Sequence, residues 1–337
     1  MTDASALQGD IHVSVVISTK NRVGLLADAL RGLASQTLDP SRFEVIILDN
    51  QSTDDIAGLI EDWRARVKFE LRYHRMDVDG GPSPSRNLGA RMARGPIVAF
   101  TDSDCRPAPG WLENGLAAMA PDIAFATGVV LYKPGQQVQF LSKLSAERTW
   151  DHPGFPTANI FYRRDVFLEF GGFDVTLSFR DPFDRAVECA DTDLAWRMLE
   201  AGRRRTFVPE AIVYHEIETL PLKLWLIEPT RLFVMPLLLR KHPELRRVLL
   251  TARLFFFPGT LIIYLGLLLA IAAMAVAPAL LWLAVPVIFL RALVGLRPFR
   301  LSDFPRRIVE TVLNIARVGI MAMTLVYGSL RYRCLVL

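Results

Sequence analysis

This sequence predicts an α/β fold with a mostly parallel sheet flanked by helices, followed by an α-helical membrane region. Three observations carry that expectation. Over the first hundred residues, short β-branched apolar runs alternate with segments of helical periodicity, about 30 residues to a pair. Polar and acidic residues stand directly after the apolar runs, where ligands bind in parallel sheets. No charged side chain occurs from Leu254 to Leu290, more than the ~20 apolar residues that one bilayer crossing needs.

Each element follows from its local pattern. HVSVVIS (12–18) reads as a buried strand and NRVGLLADALRGLASQ (21–36) as an amphipathic helix. FEVIILDN (43–50) is a second strand, and STDDIAGLIEDWRARV (52–67) a helix with Ser52 or Thr53 as its expected cap. KFELRYHR (68–75) is a third strand, GPSPSRNLGARMARG (81–95) a helix opened by Gly-Pro and closed by Gly95, and PIVAFTD (96–102) a fourth strand. Beyond Asp104 the alternation loosens. DIAFATGVVLY (122–132) reads as a strand, TANIFYRRDVFLEFGGFD (157–174) as a strand and short helix, ADTDLAWRMLEAG (190–202) as a helix stopped by Gly202, and RTFVPEAIVYHE (205–216) as two short strands.

Composition shifts divide the chain into 1–219, a catalytic-type α/β portion; 220–253, amphipathic interfacial linker helices broken by Pro229 and Pro236; and 254–337, the membrane region. Two spans are expected at 254–277 and 279–296, parted at Pro278. A third segment, 308–330, either spans or lies flat, because Arg317 sits inside it. The net charge is only +4, and Arg240, Arg246, Arg247, Arg253, Arg297, Arg300, Arg306 and Arg307 flank apolar segments. They read as positive-inside signals that leave the N-terminal portion cytoplasmic, and no nucleic-acid partner is expected. MTDASALQGD lacks the basic start and apolar run of a signal peptide. Cys105, Cys189 and Cys334 are odd in number and lack metal-ligand spacing, which argues against a disulfide framework or a zinc site.

Asp102 and Asp104 stand two positions apart at a strand end, so their side chains point the same way. They can share Mg2+ or Mn2+ with a substrate phosphate, or simply form a turn with Pro107, Pro109 and Gly110. Ser18, Thr19 and Asn21 can bond a base or ribose, as can Asp49; capping and loop roles explain them equally well. Arg86 opens a helix after a Gly-Pro turn, where phosphate would meet backbone N–H groups, or it is a solvated surface charge. Asp191 and Asp193 are either N-terminal helix charges or a general base, and His215, closing IVYHE, is either structural or a ligand for metal and diphosphate. Neither a P-loop nor a G-x-G-x-x-G after the first strand is present.

Taken in order, VSVVISTKNR, VIILDNQSTD, GGPSPSRNLGARMARG, FTDSDC, TANIFYRRDVFLEFGGFD, DTDLAWRMLEAG and VYHE resemble the membrane-associated, bacterial-type members of glycosyltransferase family 2, over about residues 12–216. The resemblance implies a GT-A fold, a Rossmann-like sheet, and a nucleotide-diphosphate sugar donor. It implies that Ser18, Thr19, Asn21, Arg22, Asp49, Arg86 and Asp102 hold the nucleotide. Asp104 and His215 would hold Mg2+ or Mn2+, and Asp191 would be the catalytic base of an inverting transfer. Asn159, Arg163, Arg164 and Glu188 would border donor and acceptor. The Glu that the family places before its catalytic Asp is replaced by Ala190, with Glu188 two residues earlier. The acceptor would be membrane-borne, a lipid-linked sugar or a polysaccharide, and the location an inner membrane with a multi-pass C-terminal region. The rival expectations are a nucleotidyltransferase and a membrane-tethered scaffold that binds nucleotide-sugar without turnover.

Overall fold

The β-branched runs form the strands their periodicity predicts. In the computed structural model, which describes residues 10–143, 147–256, a few positions between 261 and 272, and 304–337, the chain divides into two units. The first unit takes in the N-terminal residues to 138, then 143–179 and 188–218. It holds an eight-stranded sheet: β1 (Val13–Thr19), β2 (Phe43–Asp49), β3 (Glu70–Arg75), β4 (Ile97–Phe100), β5 (Cys105–Pro107), β6 (Ile123–Tyr132), β7 (Ile160–Arg163) and β10 (Arg204–His215), in the order β3-β2-β1-β4-β7-β6-β10-β5. β8 (Ser178–Arg180) and β9 (Ala186–Glu188) make a separate two-stranded ribbon. Strands β3, β2, β1 and β4 are parallel neighbours, as are β6 and β10; β7 runs antiparallel to both β4 and β6.

The central strands are buried on both faces, so successive side chains serve opposite layers. Val13, Val15 and Ile17 of β1 join Val45 and Ile47 of β2 in one core with Leu26 and Leu30 of α1 (Val23–Ala34) and Ile56 and Ile60 of α2 (Ile56–Arg64). Val16 and Leu48 face the other way, toward α3 (Pro82–Met92), which comes close because Gly89 has no side chain: a Cβ there would lie 2.4 Å from Val16 Cγ1.

Several expectations change. The α2 cap is Asp55, whose carboxylate accepts from the Gly58 amide at 2.8 Å, rather than Ser52 or Thr53. The segment 205–216 is one strand rather than two, bulged between Val208 and Ile212 where Pro209 has no N–H to give the ladder. Strand β5 and helix α4 (Trp111–Ala117) had no distinct sequence signal. The unit is completed by α5 (Arg164–Glu169) and α6 (Ala190–Glu200), the latter ended by Gly202 at φ +79.

The second unit comprises 139–142, 180–187 and the chain from 219. Its described helices are α7 (Leu222–Ile227), a 3-10 run Glu228–Val234, α8 (Met235–Lys241), α9 (Pro243–Leu249) and the C-terminal helix Phe304–Tyr332. The linker 220–253 is therefore a series of short helices, and Trp225, Phe233, Leu238, Leu239 and Leu245 are buried. The C-terminal helix lies against the 3-10 run at Gly328, where a Cβ would meet Phe233 O at 2.3 Å. Arg317 is not turned to lipid: its Nε donates to Trp225 O at 3.0 Å and its guanidinium stands 4.7 Å over the Trp225 ring. Among the described residues this is the one helix long and apolar enough to cross a bilayer. The spans expected at 254–277 and 279–296 lie almost wholly outside the described residues. A multi-pass inner-membrane location is thus not supported by the described residues.

Candidate active site

The order of strands reverses at β1, with β2 on one side and β4 on the other, which opens a crevice at their carboxyl ends. The polypeptide leaves β1 through Lys20–Arg22 and leaves β4 through Asp102–Asp104. β10, running parallel to β6, delivers His215 beside Cys105, its register partner on β5. One rim therefore collects Ser18, Thr19, Asn21, Arg22, Asp49, Asp102, Asp104 and His215 from four strands.

The turn after β1 is fixed by polar pairing. Asn21, at φ +53, accepts through Oδ1 from the Thr53 amide at 2.7 Å, and its own amide donates to Ser52 Oγ. Ser18 Oγ accepts from Asn50 Nδ2 at 2.7 Å. Asp49 is completely buried; its carboxylate accepts from the Ser52 amide (2.9 Å), the Tyr73 hydroxyl (2.8 Å) and the Arg75 guanidinium (3.0 Å). The buried Thr19 hydroxyl has no hydrogen-bond partner.

Four side chains could contribute to a metal centre. Asp102, Asp104, Cys105 and His215 each offer one atom, all within 4.8 Å of one another. Cys105 is a poor ligand. Burial first, then the charges of Asp102 and Asp104, push its thiol well above the usual range, so it stays protonated. His215 is better placed. Its Nδ1 meets the Glu216 carbonyl at 2.7 Å, and a carbonyl only accepts, so the proton sits on Nδ1. Its Nε2 lies 3.5 Å from Asp104 Oδ1, so one ion could take both atoms. Two carboxylates and an imidazole suit Mg2+ or Mn2+.

Cations oppose the two aspartates. Arg22 pairs with Asp104 at 2.5 Å, and Arg86 of α3 with Asp102 at 2.6 Å. The buried Nε–H of Arg86 has no partner, which fits a phosphate-binding role.

Helix α6 separates its two acids. Asp193 is fully buried and held by Arg197 at 2.8 Å, which removes it from the candidate bases. Asp191 is half-buried; burial above all, opposed by the Thr192 amide and Arg86 and reinforced by Asp102 and Glu188, pushes its carboxyl up to about 6. A group there is partly protonated near neutrality and suited to accept a proton. Ala190 is buried. The Glu188 side chain reaches from the end of β9 to the start of α3, where its carboxylate accepts from Ser83 Oγ at 2.7 Å. It also occupies the space a Cβ on Gly81 would need, 2.8 Å from Glu188 Oε1.

Three expected site residues are not brought to the rim. Asn159 is buried, its Oδ1 accepting from Trp111 Nε1 and its Nδ2 donating to Val129 O and Ala211 O. Arg163 pairs in register with Ile97, the first residue of β4, at the far end of the sheet, and donates to Met119 O, Ala120 O and Ile123 O. Arg164 donates to Ala90 O and Arg91 O at the end of α3. The reversal of β7 carries both arginines away from the rim. Conversely, sequence reasoning passed over Lys133, at the carboxyl end of β6, and Glu216, although both flank the rim and Glu216 adjoins His215.

Comparison with known proteins bears on the family and the fold. The family described as Glycosyl transferase family 2 matches residues 14–176. The chain is 26% identical over 223 residues to Glycosyltransferase AglE of Haloferax volcanii, covering 60% of this chain and 66% of that protein. It is 29% identical over 229 residues to the Pre-mycofactocin glycosyltransferase of Mycobacterium tuberculosis, covering 61% of this chain and 43% of that one. The chain thus spans at most about two thirds of the length of these curated relatives. Among solved structures, the mannosyltransferase PcManGT from Pyrobaculum calidifontis, in complex with GDP-Man and Mn2+, superimposes with a TM-score of 0.60 at 18% identity, over 94% of this chain and 88% of that one. That likeness establishes a GT-A-type fold.

Proposed function

The chain belongs to glycosyltransferase family 2, and on that premise we propose that it moves a glycosyl group from a nucleoside diphosphate sugar to an acceptor hydroxyl, with inversion. The observation that carries this reading is the gathering of Asp102, Asp104, His215, Arg22 and Arg86 on one rim, with Asp191 electrostatically coupled to Arg86 and Asp102.

In this reading Ser18, Thr19, Asn21 and the Asp49 loop border the nucleoside, and Arg22 and Arg86 face the diphosphate. Asp104, Asp102 and His215 would hold Mg2+ or Mn2+, which supplies positive charge to the leaving diphosphate. Asp191 accepts the acceptor's hydroxyl proton as that oxygen bonds to the anomeric carbon. The bond from anomeric carbon to diphosphate oxygen breaks in the same displacement, and its electron pair leaves on the diphosphate. A single displacement needs no protein nucleophile and inverts the centre. Glu188, two residues before Ala190, borders the acceptor side.

The C-terminal helix Phe304–Tyr332 and the uncharged sequence 254–290 support attachment to a bilayer. Such attachment would bring the site near a membrane-borne acceptor, lipid-linked or polysaccharide, which is the acceptor class we propose.

A thermal-shift panel of nucleoside diphosphates, UDP and GDP among them, with and without Mn2+, tests the proposal. A ligand at 100 times its Kd stabilises by about 2.7 kcal/mol. One nucleotide should raise Tm only when Mn2+ is present, and Asp104→Asn should abolish that rise. No shift with any nucleotide and metal would overturn it.

A further inference from the structure

We infer that Lys133 is a positioning residue for the metal site, acting through Glu216 on His215 and Asp104. The inference rests on the reading of Asp102, Asp104 and His215 as metal ligands.

Glu216 ties both principal ligands with its main chain. Its carbonyl accepts from His215 Nδ1 at 2.7 Å, which sets the ring's tautomer and its direction. Its amide donates to the carbonyl of Asp104 at 3.0 Å, which anchors the loop bearing that carboxylate. A small rotation of this one peptide would move Nε2 and the Asp104 backbone together.

The side chain of Glu216 is clamped in turn. Lys133 is only 8% exposed, and its Nζ lies 2.9 Å from Glu216 Oε2 and 2.7 Å from Asp28 Oδ2 on α1. Its amide donates to the His215 carbonyl at 3.1 Å. Burial pulls the Lys133 ammonium down, but its bonds to Asp28 and Glu216 outweigh that and hold it above its ordinary range. Gln136 closes the frame by donating to Glu216 Oε1 and accepting from the Ile217 amide. A buried ammonium is costly unless paired, and a pair this enclosed has little freedom. The same lysine therefore touches the peptide after His215 through a carboxylate and the peptide of His215 through its backbone.

Outer partners that orient a metal-binding histidine typically cost 10–100-fold in metal affinity when removed. The readout is Mn2+ binding to the full chain in detergent, followed by loss of the free-ion electron paramagnetic resonance signal, with no turnover required. Lys133→Met should weaken Mn2+ binding roughly tenfold or more, and Glu216→Gln should weaken it in the same direction. His215→Ala sets the reference loss. The double variant Lys133→Met/His215→Ala should lose less affinity than the two single losses combined, because part of the lysine's effect reaches the ion through the imidazole. Should Lys133→Met lose its near-ultraviolet circular dichroism, Glu216→Gln combined with His215→Ala carries the same comparison. Wild-type Mn2+ affinity in both single variants, or a loss that adds in full to that of His215→Ala, overturns the positioning role alone. A wild-type chain that takes up no Mn2+ overturns the metal site and this role together.

Discussion

Asp191 is where residue-scale chemistry is most exposed to test. Its carboxyl is raised from 3.8 to about 6, so folding favours the protonated form. The stability this contributes is fully present below the unfolded value and is lost as pH rises through about 6. Above that pH the ionised side chain burdens the fold by about 2–3 kcal/mol, at 1.36 kcal/mol per unit. Asp191→Asn should therefore unfold at higher urea than wild type at pH 7.5, show no such gain at pH 4, bind donor normally and lose transfer. In the wild type, kcat/KM should climb with pH to a plateau above about 6. An unaltered turnover in Asp191→Asn would remove it as base. That Asp102, Asp104 and His215 would meet was legible in the sequence because each adjoins the end of a strand, and neighbouring parallel strands bring such ends together. The placement of Arg163 and Arg164 was not legible because nothing in TANIFYRR reveals that its strand runs antiparallel, and that reversal decides which end of the sheet the arginines reach; Asn159, one residue before the Ile160–Phe100 pair, turns its side chain into the core instead.

At the scale of elements, the bulge in β10 has its own supporting structure. Ala211 arches over β6 so closely that a Cβ on Gly128 would lie 2.1 Å from the Ala211 carbonyl. That carbonyl also accepts from Asn159 Nδ2, and Asn159 spends its oxygen on Trp111 of α4. The contact is with backbone, which cannot swing aside as a long side chain can. Gly128→Ala should destabilise by at least about 2 kcal/mol, read as a lower Tm of several degrees. Asn159→Leu should cost a similar amount by leaving the Trp111 N–H and two carbonyls unpaired in the core. The bulge shows why part of the fold could not be read in advance. Pro209 marks an interruption, and an interruption is compatible with two strands or with one that kinks. Only the continuing pairing with β6 selects the second. Likewise β5 is three residues long, too short for any periodicity to announce it.

For the whole molecule, charge and hydropathy were the legible features. They divided the chain near residue 219, and the observed second unit takes up the chain from 219 together with two short earlier segments. Those segments were invisible in sequence because their membership comes from contacts such as Phe140 with Trp225, whose rings lie 4.8 Å apart, and Arg185 with Thr230 at 2.8 Å. Cell fractionation should find the full chain in the membrane pellet after an alkaline wash, and recovery in the supernatant would refute bilayer attachment. The arginine–aspartate pairs have a last consequence. A diphosphate that recruits Arg22 and Arg86 strips Asp104 and Asp102 of their counterions, and an ion that recruits those carboxylates strips the arginines. Each guest alone breaks pairs that the other would compensate, so the two should enter as cooperating ligands. By linkage, nucleotide should tighten Mn2+ by the same factor that Mn2+ tightens nucleotide, and calorimetric titrations in either order should agree on that single coupling constant.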